Sequence, residues 1–309
     1  MSPSAKPQPL VSVVIPTYNR AHCLDRTIRS VQNQTFTNWE LIIVDNHSTD
    51  DTDALVASLN DPRIRLLKIH NEGVIAASRN KGFRAGTGKY VAFLDSDDWW
   101  LPEKLQASVE QLNAGADIVY HDLYIISSYP AKPWGWNRVE TRQVNSPVFL
   151  DLLSNGSAIA NSSVVVNRAL LDQVGGFSED PTLIAAEDYE AWLRLAMRSE
   201  AFVKVNKTLG YYWAGGGNIS TPKRTLCYLM RLRELYANDL KEEEGCPVSA
   251  WLMYNLARTN WIIGNHQEGV YFAKKLIKKF PLNLFSLKLY VLWFLEIFRR
   301  RSSQGDSGS

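Results

Sequence analysis

The chain has 309 residues, 45% hydrophobic and 21% charged, which is enough for one sizeable α/β domain and an accessory element. Its formal net charge of +2 argues against a surface dedicated to nucleic acid. Three widely spaced cysteines, Cys23, Cys227 and Cys246, have no metal-ligand pattern and read as reduced thiols of a cytosolic protein. Residues 1–9 lack the apolar stretch of a signal peptide and read as a disordered lead-in, and residues 302–309 as a disordered tail.

Residues 11–15 form a continuous apolar, β-branched run, the pattern of a strand buried on both faces. Pro16-Thr17-Tyr18-Asn19 breaks it, and helical spacing follows over 24–31. A second buried strand, 41–44, ends at Asp45, before a turn rich in helix-capping residues and a helix through Leu59. Residues 64–69 and 90–94 read as further strands, with a helix over 73–85 between them. Such alternation predicts a doubly wound, mostly parallel sheet. Beyond Pro102 come a helix to about Gly115 and a strand over 117–120. Residues 125–144, with Trp134 and Trp136, read as a surface loop over a site. A strand is expected over 157–166, and a helix over 186–197 opening on Glu187-Asp188. From Thr225 the chain reads as helical throughout, broken at Gly245-Cys246-Pro247, Gly264 and Pro281.

The most informative stretch is 91–98, Val-Ala-Phe-Leu-Asp-Ser-Asp-Asp, an apolar strand running into Asp95, Asp97 and Asp98. Clustered carboxylates repel one another in a partly dry site, and a divalent metal with oxygen ligands relieves that repulsion. Open α/β sheets bind ligands beyond the carboxyl ends of their strands, where these acids fall. A solvated turn is the plainer alternative.

In order, Pro16-Thr17-Tyr18-Asn19, Val44-Asp45, Leu94-Asp95-Ser96-Asp97-Asp98 and Glu187-Asp188 each stand at a strand end or helix start. With Gln34-Thr35-Phe36, Ser78-Arg79-Asn80 and Gly175-Gly176-Phe177, they closely resemble family 2 of the inverting, nucleotide-sugar-dependent glycosyltransferases, over roughly residues 10–221. The resemblance implies a GT-A fold, a nucleotide-sugar donor with UDP favoured, and Mn²⁺ or Mg²⁺. It assigns Pro16 and Tyr18 to the donor site, Tyr18 stacking on the base, and makes Asp45 a hydrogen-bond acceptor for the base. Asp95 falls near the ribose. Asp97 holds the metal against the diphosphate, and Asp98 is either a second metal contact or the cap of a helix starting near Trp99. Arg79 approaches the diphosphate or forms a structural ion pair. Asp188 matches the base that deprotonates the acceptor hydroxyl, as an inverting transfer requires. Two departures stand out. Asn46-His47 replaces the Asp-Gly common after Asp45, and Tyr211-Tyr212-Trp213-Ala214-Gly215-Gly216-Gly217-Asn218-Ile219-Ser220 lacks the histidine many relatives carry there. Its glycines suggest a mobile loop that closes over the donor.

Between Val270 and Arg301 eight basic residues face one acid, Glu296. Ala273, Leu276, Ile277 and Phe280 share one helical face opposite Lys274, Lys275, Lys278 and Lys279. The apolar stretch 282–298 is shorter than the ~20 residues a spanning helix needs. An in-plane anchor on an anionic inner leaflet is one reading, and a helix packed on the catalytic domain or in a homodimer the other. The expected layout is a GT-A domain over 10–222 and a helical extension over 223–301. The enzyme is then cytoplasmic, peripheral at the inner face of the membrane, and acts on a glycan or lipid-linked acceptor. A sugar nucleotidyltransferase would share sheet and aspartates but opens with a Gly-rich loop, which Pro16-Thr17-Tyr18-Asn19 is not. A catalytically inactive binding scaffold is disfavoured by Asp97 and Asp188.

Overall fold

A computed structural model describes residues 8–128, 138–139, 141–216, 220–241 and 249–290. The expected loop tryptophans, the centre of the glycine loop, Cys246 and everything after Tyr290 lie outside these residues. By its internal contacts the chain forms two compact units. One is residues 1–149 with 157–219, and the other is residues 150–156 with 220–309.

The first unit is built on one mixed sheet. Strands β1 (Val11–Thr17), β2 (Trp39–Asp45), β3 (Ile64–Lys68) and β4 (Tyr90–Phe93) lie in the order β3-β2-β1-β4, all parallel. Helices α1 (Ala21–Gln32), α2 (Thr52–Ser58) and α3 (Ile75–Ala85) connect them. Every residue of β1, β2 and β4 is buried, as their unbroken apolar runs require. Pro16 sits past the last β1–β4 partner, so its missing N–H removes nothing from that ladder.

After β4 the pattern changes. A two-residue strand β5 (Trp99–Trp100), helix α4 (Lys104–Asn113), β6 (Ile118–Ile126), β7 (Arg138–Val139), helix α5 (Val148–Asn155), β8 (Val165–Asn167), helices α6 (Arg168–Gln173) and α7 (Glu187–Ala196), and β9 (Phe202–Trp213) follow. They extend the sheet as β4-β8-β6-β9-β5, with β7 beside β6. Here β4–β8, β8–β6, β6–β7 and β9–β5 are antiparallel and only β6–β9 is parallel. The expected α/β fold is present, but its parallel character belongs to the first half. Residues 157–166 are not a strand throughout: a 3₁₀ turn, Asn161–Ser163, precedes the short β8.

In the second unit, helices α8 (Pro222–Leu235), α9 (Ala250–Ile262) and α10 (His266–Lys279) pack in sequence. The Ser249 side chain caps α9 by accepting from the Leu252 N–H, and its hydroxyl reaches the carbonyls of Leu153 and Ser154 in the 150–156 segment. Phe272 and Leu276 of α10 are buried while Lys274 and Lys278 are exposed, the amphipathic split read from the sequence. Among the described residues no helix is long and apolar enough to cross a membrane.

Candidate active site

The acid run is held from three sides. From α1, Arg26 donates from Nη2 to the Asp97 carbonyl at 3.0 Å. The buried Thr27 hydroxyl lies 2.7 Å from the Asp98 carbonyl and 2.9 Å from that of Ser96. From the 3₁₀ turn, Asn161 donates to Asp95 Oδ1 at 3.2 Å and Ser162 to Asp98 Oδ2 at 2.5 Å. From β9, the Trp213 N–H donates to Asp98 Oδ1 at 2.8 Å. Asp98 is 1% exposed with both oxygens engaged. It caps no helix, since Trp99–Trp100 is strand and α4 starts at Lys104. Its two bonds tie the acid turn to the 3₁₀ turn and to β9.

Asp97 is different. Burial, then the neighbouring Asp95, pushes its carboxyl above the ordinary value. Arg20 and Arg26 oppose that rise, and a carboxylate crowded by like charge is one that a divalent cation would stabilise further. No group of three or more histidine, cysteine or acidic side chains is arranged for a metal among the described residues.

At the same carboxyl end of the parallel strands, Tyr18 is 54% exposed just past β1. Asp45 closes β2, fully buried, accepting from the Ser48 N–H and hydroxyl and from Lys68 Nζ at 2.6 Å. It is not a helix cap, since α2 is preceded by Asp51. The Asn19 N–H donates to Ser48 Oγ and the Thr49 N–H to Asn19 Oδ1, both at 2.8 Å, joining the loops beyond β1 and β2. His47 has φ +53 and stacks on His70 with ring centroids 3.8 Å apart. That left-handed conformation is one glycine adopts freely, so the turn keeps a glycine geometry although the residue is histidine.

On the third side, α7 opens with Glu187 and Asp188, entered through Ala185 at φ +74. A non-glycine residue there carries of order 1 kcal/mol of strain. Arg79, read from the sequence as either a diphosphate contact or a structural ion pair, is 3% exposed and bridges two carboxylates. Nη1 reaches Glu187 Oε1 at 2.5 Å and Nη2 reaches Asp95 Oδ1 at 2.8 Å. The next residue, Asn80, bonds both the N–H and the carbonyl of Phe177 at 2.8 Å. Thus Ser78-Arg79-Asn80 and Gly175-Gly176-Phe177 meet as one joint. Asp188 is partly exposed, and its carboxyl is raised to about 7 by burial and then by Glu187, with Arg79 opposing.

Sequence reasoning missed Thr27, Asn161, Ser162 and Tyr212. The polar run Asn161-Ser162-Ser163 inside an expected strand was the available signal, since buried polar groups need partners. Alternation along β9 puts Tyr211, stacked on Trp99, and Trp213, beside Arg26, on one face. Tyr212 is on the other. Burial and the charges of Asp98, Asp95, Asp97 and Asp188 raise its phenol, so it remains a hydrogen-bond donor facing the acids.

The description Glycosyl transferase family 2 matches residues 12–164. UDP-Glc:alpha-D-GlcNAc-diphosphoundecaprenol beta-1,3-glucosyltransferase WfgD of Escherichia coli is 32% identical over 188 residues, 60% of this chain and 69% of that one. S. aureus TarS 1-349 in complex with UDP-GlcNAc superposes with TM-score 0.61 at 18% identity, over 87% of this chain and 81% of that one. Mannosyltransferase PcManGT from Pyrobaculum calidifontis, in complex with GDP-Man and Mn2+, superposes with TM-score 0.58 at 17% identity, over 96% and 83%. The two structures share its GT-A fold. On the matched motif region and on this sequence identity, the chain belongs to glycosyl transferase family 2 and is a glycosyltransferase.

Proposed function

We propose that this glycosyltransferase moves a sugar, with inversion, from a nucleoside-diphosphate sugar to a hydroxyl of a lipid-linked glycan during surface polysaccharide or glycoconjugate assembly. UDP is the favoured nucleotide. The carrying observation is the division of labour between two acids: Asp97 stands at the strand end, its carboxyl raised by burial and by Asp95 against the opposing charges of Arg20 and Arg26, and Asp188, raised to about 7 at the start of α7, is poised to accept a proton near neutral pH. The relative from Escherichia coli, named for UDP-Glc and a diphosphoundecaprenol acceptor, supports the donor and acceptor classes.

Tyr18 offers an exposed ring to the base, and Pro16 shapes the strand end beside it. Asp45 accepts from the base by giving up one of its bonds to Ser48 or Lys68, and Asp95 lies on the ribose side. Asp97 would hold Mn²⁺ or Mg²⁺. When bound, that ion neutralises the charge that develops on the departing diphosphate. Asp188 takes the acceptor hydroxyl proton as its oxygen bonds to the anomeric carbon and the carbon–oxygen bond to the diphosphate breaks. The Tyr212 hydroxyl faces the same acids and donates a hydrogen bond to the bound donor.

A peripheral bilayer contact by the second unit fits an acceptor carried on a lipid. Leu282 is 88% and Leu284 62% exposed beyond the lysine-faced α10, the pairing of apolar and basic groups that interfacial segments use.

The test is transfer and donor hydrolysis across a panel of nucleotide sugars. Asp97→Ala is expected to cost more than tenfold in kcat, about 1.4 kcal/mol or more of barrier. Asp188→Asn should retain donor binding and lose turnover steeply. Wild-type turnover is expected to rise with pH through about 7 as Asp188 ionises. Near-normal kcat in Asp97→Ala overturns the metal role, and greater damage from Glu187→Gln than from Asp188→Asn overturns the base.

A further inference from the structure

We infer that Arg79 is a positioning residue, a buried clamp that sets the catalytic end of α7 against the acid-bearing end of β4, and not a ligand of the donor. The inference rests on the reading of Asp188 as the base.

The geometry carries it. Arg79 is in mid-helix in α3, its side chain 4% exposed, with one nitrogen on Glu187 and another on Asp95. An ion pair this dry is strongly destabilised by removing one member, because the other charges are left uncompensated. Each anchored acid is sequence-adjacent or next but one to an acid that does chemistry: Glu187 precedes Asp188, and Asp95 stands two before Asp97. Asp95 is further fixed by Asn161. The 175–188 segment is held to α3 a second time by Asn80, which bonds Phe177 on both sides and Glu179 at 2.7 Å. Between these two attachments the chain passes through Ala185 at φ +74. A strained residue persists only where its surroundings over-determine it; the Ala186 N–H bonds the Leu183 carbonyl at 2.8 Å, and the Arg79–Glu187 pair adds a restraint one residue further on.

Electrostatics point the same way. The charged or ionisable groups facing Asp188 are Glu187 and Asp95, which raise its carboxyl, Arg79, which lowers it, and the Tyr212 phenol. Arg79 thereby offsets part of that rise and favours the ionised form that accepts a proton, while its hydrogen bonds to Glu187 and Asp95 fix the start of the helix that carries the base.

The experiment compares Arg79→Lys and Arg79→Gln with Glu187→Gln and Asp188→Asn in the full-length chain. It reads kcat, donor KM, the Kd of UDP, the acid limb of the kcat–pH profile, and Tm. Arg79→Lys, which keeps the charge without the fork, is expected to lower kcat at least tenfold with donor KM and UDP Kd within about twofold of wild type. Arg79→Gln should also move the acid limb to higher pH. Glu187→Gln keeps an acceptor for Arg79 but removes a negative charge, so its limb should move to lower pH. A large rise in UDP Kd with Arg79→Lys, and an unmoved limb in Arg79→Gln, would return Arg79 to the diphosphate and overturn the inference. If Arg79→Gln does not fold, Arg79→Lys and Glu187→Gln still decide it through kcat against KM and through the limb. Asp188→Asn separates the two readings. Retained turnover there sinks the base assignment itself, whereas lost turnover with unaltered Arg79 and Glu187 variants sinks only the clamp.

Discussion

Asp188 is held at a cost to stability. Its carboxyl titrates near 7 in the folded protein because burial and Glu187 oppose the charge, whereas an unfolded aspartate titrates near 3.9. Between those values the folded state keeps a proton that the unfolded state has lost, so stability is fully present below about 4 and declines as pH rises to about 7. Asp188→Asn removes that titration. Thermal unfolding at pH 8 should show the variant more stable than wild type, by on the order of 1–3 kcal/mol, although its turnover is expected to be steeply reduced. At pH 4 the difference should vanish. An unchanged difference across that range would mean that the carboxyl is not perturbed in the way proposed. Asp98 shows the contrasting arrangement. It is also pushed up by burial and by Asp95 and Asp97, yet both its oxygens are satisfied, and it serves the framework.

At the scale of elements, α3 is central, and a glycine lets it serve that role. Gly82 faces the sheet, where a Cβ would collide with Val14 Cγ1 and lie 3.1 Å from Val44 Cγ2. Helix and sheet could not otherwise approach closely enough for Arg79 and Asn80 to span to their partners. Gly82→Ala gains helix propensity of up to about 1 kcal/mol but overpacks the contact of α3 with β1 and β2, which typically costs about 1–3 kcal/mol. Chemical denaturation should show net destabilisation; an equally stable variant would mean the sheet yields freely. The parallel half of the sheet was legible in the sequence because strands buried on both faces appear as continuous apolar runs, and their ends marked Tyr18, Asp45 and the acid run. The second half was harder to read. Trp99–Trp100 is too short to show a period, and the Asn161–Ser163 turn interrupts an otherwise strand-like stretch. Arg79 was legible as a motif residue but not as a bridge. Its partners lie 16 and 108 residues away, and local pattern carries no such pairing.

For the molecule as a whole, the motif residues and the basic, apolar helices proposed to meet a bilayer occupy different stretches of chain. Every motif with an assigned chemical role ends by Trp213, while exposed leucines and basic side chains collect beyond Val270. Each basic residue near an anionic surface contributes about 1 kcal/mol, weakened by salt. Co-sedimentation with anionic vesicles should therefore exceed that with neutral ones and fall at high salt. Truncation before Pro281 should reduce it while donor hydrolysis continues. Equal pelleting of both forms, insensitive to salt, would assign these helices to packing alone. The bond from the Trp213 N–H to Asp98, across 115 residues of sequence, has a consequence during synthesis. Such closure awaits the far partner, and chains emerge from the ribosome at about 5–20 residues per second. The acid turn lacks its β9 support until residue 213 has cleared the exit tunnel, so a nascent chain shorter than that has the aspartates without a finished site. Ribosome-stalled chains ending just before and well after this point should differ sharply in donor hydrolysis, and the enzyme stays silent until most of it has been made.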